Sequence, residues 1–123
     1  MRLLLDSHVL LWWLDDDARL APVRDIVIAA PMVYVSAATV WELALKSSLG
    51  KLVLPGPLTG VLAANHFDEL PITGAHAEAA VGLPAVHADP FDRMLVAQAA
   101  VERLTLVTHD LLLAKYGGAL LKV

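Results

Sequence analysis

Four acidic side chains stand where a strand pattern gives way to a helix pattern. Asp6 directly follows the apolar run "RLLL", and Asp110 comes just after "LTLVT". Asp92 falls in the first turn of the helix pattern "DPFDRMLVAQA", and Glu42 lies one to two turns inside the helix pattern that follows "MVYVS". In sheets of parallel strands, ligands bind in the crevice beyond the carboxyl ends of the strands. The pattern therefore predicts that the four carboxylates converge on one crevice.

Four carboxylates in one crevice require a cation. Without one they repel each other, and each raises the pKa of its neighbours. Oxygen ligands select a hard ion such as Mg²⁺ or Mn²⁺. Such an ion activates water and stabilises the charge on a phosphodiester during in-line attack. The residue types thus favour metal-dependent hydrolysis of a phosphodiester.

The stretch "HADPFDR" contains two acids, and a purely structural interpretation exists for both. Asp89 fits an N-cap, Pro90 suits the first helical position, and Asp92 at the third position can face the unpaired N–H groups of the helix. Asp6 can likewise cap a helix that begins near Ser7. A capping role explains the position of each acid by itself, but it does not explain why the acids converge on one crevice. We therefore predict that Asp89 caps the helix and that Asp92 faces the crevice.

Glu42 has a structural alternative of a different kind. It shares a helix face with Ala38, Leu45 and Leu49, and this face is otherwise apolar. An exposed ion pair with Lys46 at i,i+4 would account for it equally well, at a few tenths of a kcal/mol. Either interpretation places Glu42 in the helix that leaves the second strand.

Short apolar runs alternate with helical patterns along the chain. The predicted strands are "RLLL" at 2–5, "MVYVS" at 32–36, "ELPI" at 69–72, "LTLVT" at 104–108 and "ALLKV" at 119–123. The predicted helices lie near 8–15, 21–29, 37–48, 57–66, 74–81, 90–103 and 110–116. Strands that are apolar throughout are buried on both faces. The sequence therefore predicts an α/β fold with a mainly parallel sheet flanked by helices.

The composition sets limits on organisation and partners. The 123 residues are 58% hydrophobic and 18% charged, whereas an ordinary domain is roughly 45–50% apolar and about 25% charged. We predict one domain over 1–123 whose surplus apolar surface is covered by self-association or by a partner. No run reaches the roughly 18 apolar residues of a membrane span, and an acid at Asp6 comes too early for a signal peptide. We expect a cytoplasmic protein without disulfides, and the net charge of −4 argues against nucleic-acid binding by general basicity.

The motifs "LLLDSHVLLWWL", "VSAATVWELALKSSLGKL", "DPFDRMLVAQA" and "LTLVTHD" resemble, in order and spacing, those of the PIN-domain family, and within it the VapC-type ribonuclease toxins of bacterial toxin–antitoxin pairs. The resemblance covers nearly the whole chain. It implies a PIN-like α/β/α sandwich and a ribonuclease that depends on Mg²⁺ or Mn²⁺. It also implies an RNA substrate, a cognate antitoxin protein that blocks the crevice, and a homodimer. The catalytic residues it implies are Asp6, Glu42, Asp92 and Asp110, of which Asp6, Asp92 and Asp110 would ligate the metal directly.

The sequence departs from the family pattern at a few positions around these acids. Ser7 replaces the usual Thr and keeps a hydroxyl that could orient Asp6, and His8 replaces a common Asn. His109 precedes the last acid, where other members vary.

Several other residues carry no distinct signal. His66, His76 and His87 show no paired metal-ligand spacing, and we interpret them as surface or loop residues. We assign the tryptophans to packing. Three basic residues lie near the motifs, where they can touch phosphates or be solvated surface charges: Lys46, Lys51 and Arg93.

Three other function classes fit parts of the sequence. A metallophosphoesterase matches "DSH", "DPFDR" and "THD" but lacks the accompanying glycines and later ligands. A phospho-acceptor signalling domain requires an acid after the third strand, where the chain reads "LPITGAH". A metal-free PIN-like interaction module would not need all four acids. Cleavage of RNA in the presence of Mn²⁺ separates the nuclease from the other classes.

Overall fold

A computed structural model describes residues 1–123. It contains one sheet of five strands in the spatial order β3-β2-β1-β4-β5, and every neighbouring pair is parallel. The strands are β1 (Arg2–Leu5), β2 (Met32–Ser36), β3 (Asp68–Leu70), β4 (Thr105–Thr108) and β5 (Leu120–Lys122). The predicted parallel sheet is confirmed, and β1 lies at its centre.

Helices connect the strands. They are α1 (Ser7–Leu14), α2 (Arg24–Ala29), α3 (Ala37–Ser48), α4 (Leu58–Ala64), α5 (Gly74–Val81) and α6 (Pro90–Glu102). Two 3₁₀ segments, Ala18–Leu20 and Leu111–Tyr116, complete the regular structure. None of the six α-helices combines the length and the apolar character that crossing a membrane requires.

The sheet is covered on both faces, because successive side chains of a strand point in opposite directions. Leu3 and Leu5 of β1 belong to a core beneath α1, α2, α3 and α4, whereas Leu4 belongs to a second core beneath α6. All three leucines are fully buried. This division explains why β1 is an uninterrupted apolar run, and it produces the predicted α/β/α sandwich.

The strand order reverses beside β1. The chain places β2 and β3 on one side of β1 and then crosses to place β4 and β5 on the other. Ligand crevices in open parallel sheets form at this type of switch point. We therefore expect a functional site at the carboxyl ends of β1 and β4.

The predicted elements agree with the structure, with differences at their ends. The strand 32–36 and the helices 37–48 and 74–81 have the predicted bounds. The segment 110–116 is a 3₁₀ helix that begins at Leu111, and the helix predicted over 21–29 begins only at Arg24. The latter helix starts late because a short 3₁₀ segment and a turn precede it.

Candidate functional site

An acidic crevice opens at the carboxyl ends of β1 and β4. Three of the four predicted acids line it, and the remaining wall consists of two histidines, a tryptophan and a leucine. The lining residues are Asp6, His8, Trp12, Asp92, His109, Asp110 and Leu111. The structure therefore brings together the residues that follow β1, begin α6 and follow β4.

Asp6 is held rigidly at the bottom of the crevice. Its side chain caps α1 by accepting a hydrogen bond from the N–H of Val9 at 2.8 Å. Its second carboxylate oxygen accepts a hydrogen bond from the hydroxyl of Thr108. Only 3% of the residue is exposed, and this burial raises the pKa of the Asp6 carboxyl although both hydrogen bonds oppose the shift. Asp6 thus serves as a helix cap and as a crevice acid at the same time.

Thr108 links the first and last acids. Its hydroxyl donates to Asp6 and accepts a hydrogen bond from the N–H of Asp110 at 3.0 Å. Thr108 was not predicted to belong to the site, and the hydroxyl of Ser7 was expected near Asp6 instead. Thr108 is the last residue of β4, whose side chain lies beside the end of β1 because the two strands are neighbours. Only the strand order, which the sequence did not establish, marks it as part of the site.

Asp89 and Asp92 divide their roles as predicted. Asp89 is the N-cap of α6, and its carboxylate accepts hydrogen bonds from the N–H groups of Phe91 at 2.8 Å and Asp92 at 3.4 Å. Asp92 faces the crevice from the first turn. Burial raises the pKa of its carboxyl to about 6, with further increases from the charges of Asp89, Asp6 and Glu42 and an opposing effect of His87.

Replacing Asp89 by Ala should lower the free energy of unfolding by about 1 kcal/mol, the usual cost of a lost N-cap. Most of the catalytic rate should remain, because Asp92 keeps its place in the first turn. Urea unfolding and a cleavage assay measure the two effects. Unchanged stability together with lost activity would instead identify Asp89 as the third acid of the site.

Replacing Asp92 by Asn should stabilise the metal-free protein at neutral pH. The folded-state pKa of about 6 exceeds the ordinary value of 3.8, so the folded protein binds more protons than the unfolded chain between these values. The stability that the protonated Asp92 side chain contributes to the wild type is therefore fully present below about pH 4 and is lost as the pH rises through 6. The variant avoids this loss, and we expect it to be about 1–2 kcal/mol more stable at pH 7.5 once solvent screening is allowed for.

Unfolding curves at pH 4 and pH 7.5, both in the presence of a chelator, test this prediction. The difference between the two proteins should shrink towards zero at the lower pH. A difference of the same size at both pH values would show that charge repulsion at Asp92 is not its cause.

Asp110 completes the acidic set. It follows β4 and caps the last 3₁₀ segment by accepting a hydrogen bond from the N–H of Leu112 at 2.9 Å. Its other carboxylate oxygen lies 3.0 Å from Nε2 of His87, and the same nitrogen lies 3.3 Å from a carboxylate oxygen of Asp92. His87 was predicted to be a loop or surface residue without a role in the site. It lies in a loop, but its ring joins two of the acids.

Glu42 lies next to the crevice rather than in its lining. It is 7% exposed, and its carboxylate pairs with Nζ of Lys46 at 2.9 Å. Its charge still acts on Asp92, whose pKa it helps to raise. The predicted i,i+4 pair is thus present, although it is not an exposed pair. The predicted helix face is wrong in part, because Leu45 and Leu49 are exposed whereas Ala38 is buried with Glu42.

The guanidinium of Arg19 covers one face of the Trp12 ring. The guanidinium of Arg19 lies 4.3 Å from the ring centroid, and the ring of His109 meets Trp12 edge to face at 5.2 Å. Trp12 and Trp13 are half-buried and pack against the first core, as predicted. Trp41 differs, because it is 64% exposed and contacts the ring of Phe91.

Two further predictions from the sequence need correction. His76 is not a surface residue, because it is 1% exposed and closes a capping box with Thr73 at the start of α5. Arg93 is not a solvated surface charge that awaits a phosphate. Its guanidinium donates hydrogen bonds to the carbonyl oxygens of Ala80, Leu83 and Pro84 at 2.9–3.1 Å. His66 is exposed, as predicted, and so is Lys51.

The residues of the crevice fit a divalent cation. The donors are carboxylate oxygens, which suit Mg²⁺ and Mn²⁺. A carboxylate oxygen of Asp92 and one of Asp110 lie within 4.8 Å of each other and of a ring nitrogen of His87. The raised pKa values of Asp6 and Asp92 reflect burial and, to a lesser extent, repulsion that a cation would relieve.

The chain is similar to known proteins over most of its length. The family model described as "PIN domain" matches residues 3–119. Ribonuclease VapC22 of Mycobacterium tuberculosis is 35% identical over an alignment of 111 residues that covers 87% of this chain and 85% of the relative.

Solved structures share the fold. A crystal structure of VapBC2 from Rickettsia felis, bound to a DNA fragment of its promoter, contains a chain that matches with a TM-score of 0.75 and 13% identity, over 99% of this chain and 98% of the other. FitAcB from Neisseria gonorrhoeae matches with a TM-score of 0.69 and 23% identity, over 98% and 96% of the two chains. At these identities the likeness establishes the fold.

Proposed function

The chain belongs to the PIN-domain family, and from this premise we propose that it is a metal-dependent endoribonuclease that acts as the toxin of a toxin–antitoxin pair. The observation that carries the proposal is the convergence of Asp6, Asp92 and Asp110 on one crevice. The relative at 35% identity is named a ribonuclease, which supports the same activity here.

Asp6, Asp92 and Asp110 are the proposed metal ligands, and Glu42 acts beside them directly or through water. When bound, Mg²⁺ or Mn²⁺ would supply positive charge that activates water and stabilises a phosphodiester under attack. The protein contributes fixed positions for the acids. Thr108 and the first turn of α1 hold Asp6, the first turn of α6 presents Asp92, and the final 3₁₀ segment fixes Asp110.

Incubation of the purified protein with a panel of RNAs tests the proposed activity. We expect cleavage in buffer that contains Mn²⁺ or Mg²⁺ and no cleavage in buffer that contains a chelator and no added divalent cation. Cleavage of DNA but not of any RNA would assign the crevice to another substrate. Absence of cleavage of either polymer, with folded protein and saturating Mn²⁺, would contradict the proposal.

An antitoxin is the proposed partner, because a solved structure with the same fold is a toxin–antitoxin complex from Klebsiella pneumoniae. A basic antitoxin side chain that enters the crevice would pair with its carboxylates and exclude the metal. Expression of this chain alone should arrest growth, and co-expression of the neighbouring gene product should restore it. Harmless expression of an active enzyme that no neighbouring product binds would favour a housekeeping RNA-processing role.

We also propose that the protein is a homodimer. Trp41 and Leu45 of α3 and Leu49, the C-cap of this helix, follow each other at i, i+4 and i+8, and all three are exposed. This spacing places them in one apolar stripe on the helix. Sedimentation velocity at micromolar concentration should show a dimer, and Leu45→Arg should shift it to a monomer. A wild-type protein that sediments only as a monomer would contradict the proposal.

A phospho-acceptor signalling domain is the alternative in a different function class. Such a domain needs an acid directly after its third strand. In this structure β3 ends at Leu70, and the chain continues with Pro71, Ile72 and Thr73 at the edge of the sheet. The position that the alternative requires therefore holds no carboxylate.

A further inference from the structure

His87 joins two of the crevice acids through a single atom. Its Nε2 lies 3.0 Å from Oδ2 of Asp110 and 3.3 Å from Oδ2 of Asp92. These two acids come from different elements, the 3₁₀ segment after β4 and the first turn of α6. The imidazole therefore lies between two of the three carboxylates that are proposed to share a cation.

The other ring nitrogen shows which role His87 takes. The backbone N–H of Asp89 donates a hydrogen bond to Nδ1 of His87 at 3.0 Å. A ring nitrogen that accepts a hydrogen bond carries no proton, so the proton of the neutral ring is on Nε2. Nε2 is then the donor in the hydrogen bond to Asp110, and a carboxylate oxygen of Asp92 lies 3.3 Å from the same nitrogen. A histidine that ligates a metal shows the reverse arrangement, since its free nitrogen donates a hydrogen bond.

The loop that carries His87 is anchored at several points. The N–H of His87 donates to the hydroxyl of Tyr116 at 2.9 Å. The guanidinium of Arg93 holds the preceding carbonyl groups of Leu83 and Pro84. These contacts fix the ring before any cation arrives, and a fixed donor orients the carboxylates that it contacts.

We propose that His87 is a positioning residue: its Nε2–H donates to Asp110 and lies beside Asp92, and it thereby keeps the two carboxylates in the arrangement that binds the divalent cation. It does not ligate the cation. The inference rests on the proposed function in that it assumes a cation in the acidic crevice. Loss of a hydrogen-bond partner of this type weakens metal binding by about 10–100-fold in other proteins.

Two variants separate the two nitrogens of the ring. In His87→Gln the amide nitrogen can take the place of Nε2, so the donor to the carboxylates is kept. In His87→Asn the amide oxygen can take the place of Nδ1, so the contact with the Asp89 N–H is kept and the donor to the carboxylates is lost. The full-length protein is titrated with Mn²⁺, without RNA, and free Mn²⁺ is read from its electron paramagnetic resonance signal.

We expect His87→Asn to weaken Mn²⁺ binding by about 10-fold or more and His87→Gln to bind close to the wild-type value. The reverse order would assign His87 to loop anchoring alone, and equal affinities for all three proteins would show that it has no effect; either result overturns the inference. Weak binding by both variants would overturn it as well. Thermal unfolding of each variant controls for loss of the fold.

A spectroscopic comparison of the wild type with His87→Gln tests directly whether His87 ligates the cation. Electron spin echo envelope modulation is recorded on the Mn²⁺-loaded wild type and on Mn²⁺-loaded His87→Gln. The variant should lose no signal from a nitrogen bonded to Mn²⁺. A bonded nitrogen lost in that variant would make His87 a ligand and overturn the proposal. If Asp92→Asn binds Mn²⁺ with the same affinity as the wild type, the cation lies elsewhere. The metal site of the proposed function then fails together with this inference. If Asp92→Asn abolishes binding and His87→Asn leaves it unchanged, only the inference fails.

Discussion

Replacement of Asp92 by Asn should lower the rate of RNA cleavage by at least about 100-fold. The substitution removes one negative charge from the crevice and preserves the volume of the side chain. The amide can keep the contact with Nε2 of His87, which lies 3.3 Å from the Asp92 carboxylate, so the local structure should persist. A cation bound to the remaining acids would be held more weakly and in an altered position, and stabilisation of the transition state would decrease by several kcal/mol.

The same variant is expected to be more stable than the wild type at neutral pH in the absence of metal. Loss of activity can therefore not be attributed to unfolding. Asp6→Asn should show a similar loss of activity, since Asn retains the ability to cap α1. Asp15→Asn is the matched control, because Asp15 is an exposed acid at the far end of α1. Wild-type rates in the Asp6 and Asp92 variants would refute the assignment of the site.

Replacement of Arg93 by Met should lower the free energy of unfolding by about 3 kcal/mol. The guanidinium donates hydrogen bonds to three carbonyl oxygens between the end of α5 and the start of α6. Hydrogen bonds that involve a charged group contribute about 1.5–3 kcal/mol each, and the exposed part of the loop can recover some of the loss through water. Methionine replaces the aliphatic part of the side chain and removes the donors.

Urea unfolding measures this effect, with Arg103→Met as the control. Arg103 is exposed and its side chain makes no ion pair or hydrogen bond, so the same chemical change there should have little effect. We also expect Arg93→Met to bind Mn²⁺ more weakly, because the loop that it anchors carries His87. Equal stability of the two variants would show that the contacts of Arg93 with the carbonyl groups contribute little.

The strands and most helices followed from local pattern. The run "RLLL" is apolar at each of Leu3, Leu4 and Leu5 because alternate side chains enter two different cores. Helix starts were readable where a capping residue preceded them, as at Asp89. The start of α2 was not, because its N-cap Val23 makes no side-chain hydrogen bond and leaves no signal in the sequence.

The site could be predicted only where a strand or a helix start fixed the position of a side chain. Asp6 and Asp110 follow strands directly, and Asp92 lies in a helix turn of known geometry. His87 could not be predicted, since its approach to Asp110 depends on a loop whose path is set by Arg93 and Tyr116. Thr108 required the pairing of β1 with β4, which local periodicity does not reveal.

In the proposed function, the acidic crevice binds a divalent cation that RNA cleavage requires. One measurement tests it most directly: the rate of cleavage of a single RNA, recorded as Mn²⁺ is added back to chelator-treated protein, beside the Kd for Mn²⁺ measured without RNA. We expect no cleavage before the addition, a half-maximal rate near the Kd, and neither binding nor cleavage over the same range for Asp92→Asn. Cleavage at the full rate in the chelator, or a metal dependence that Asp92→Asn leaves unchanged, would contradict a catalytic cation in this crevice.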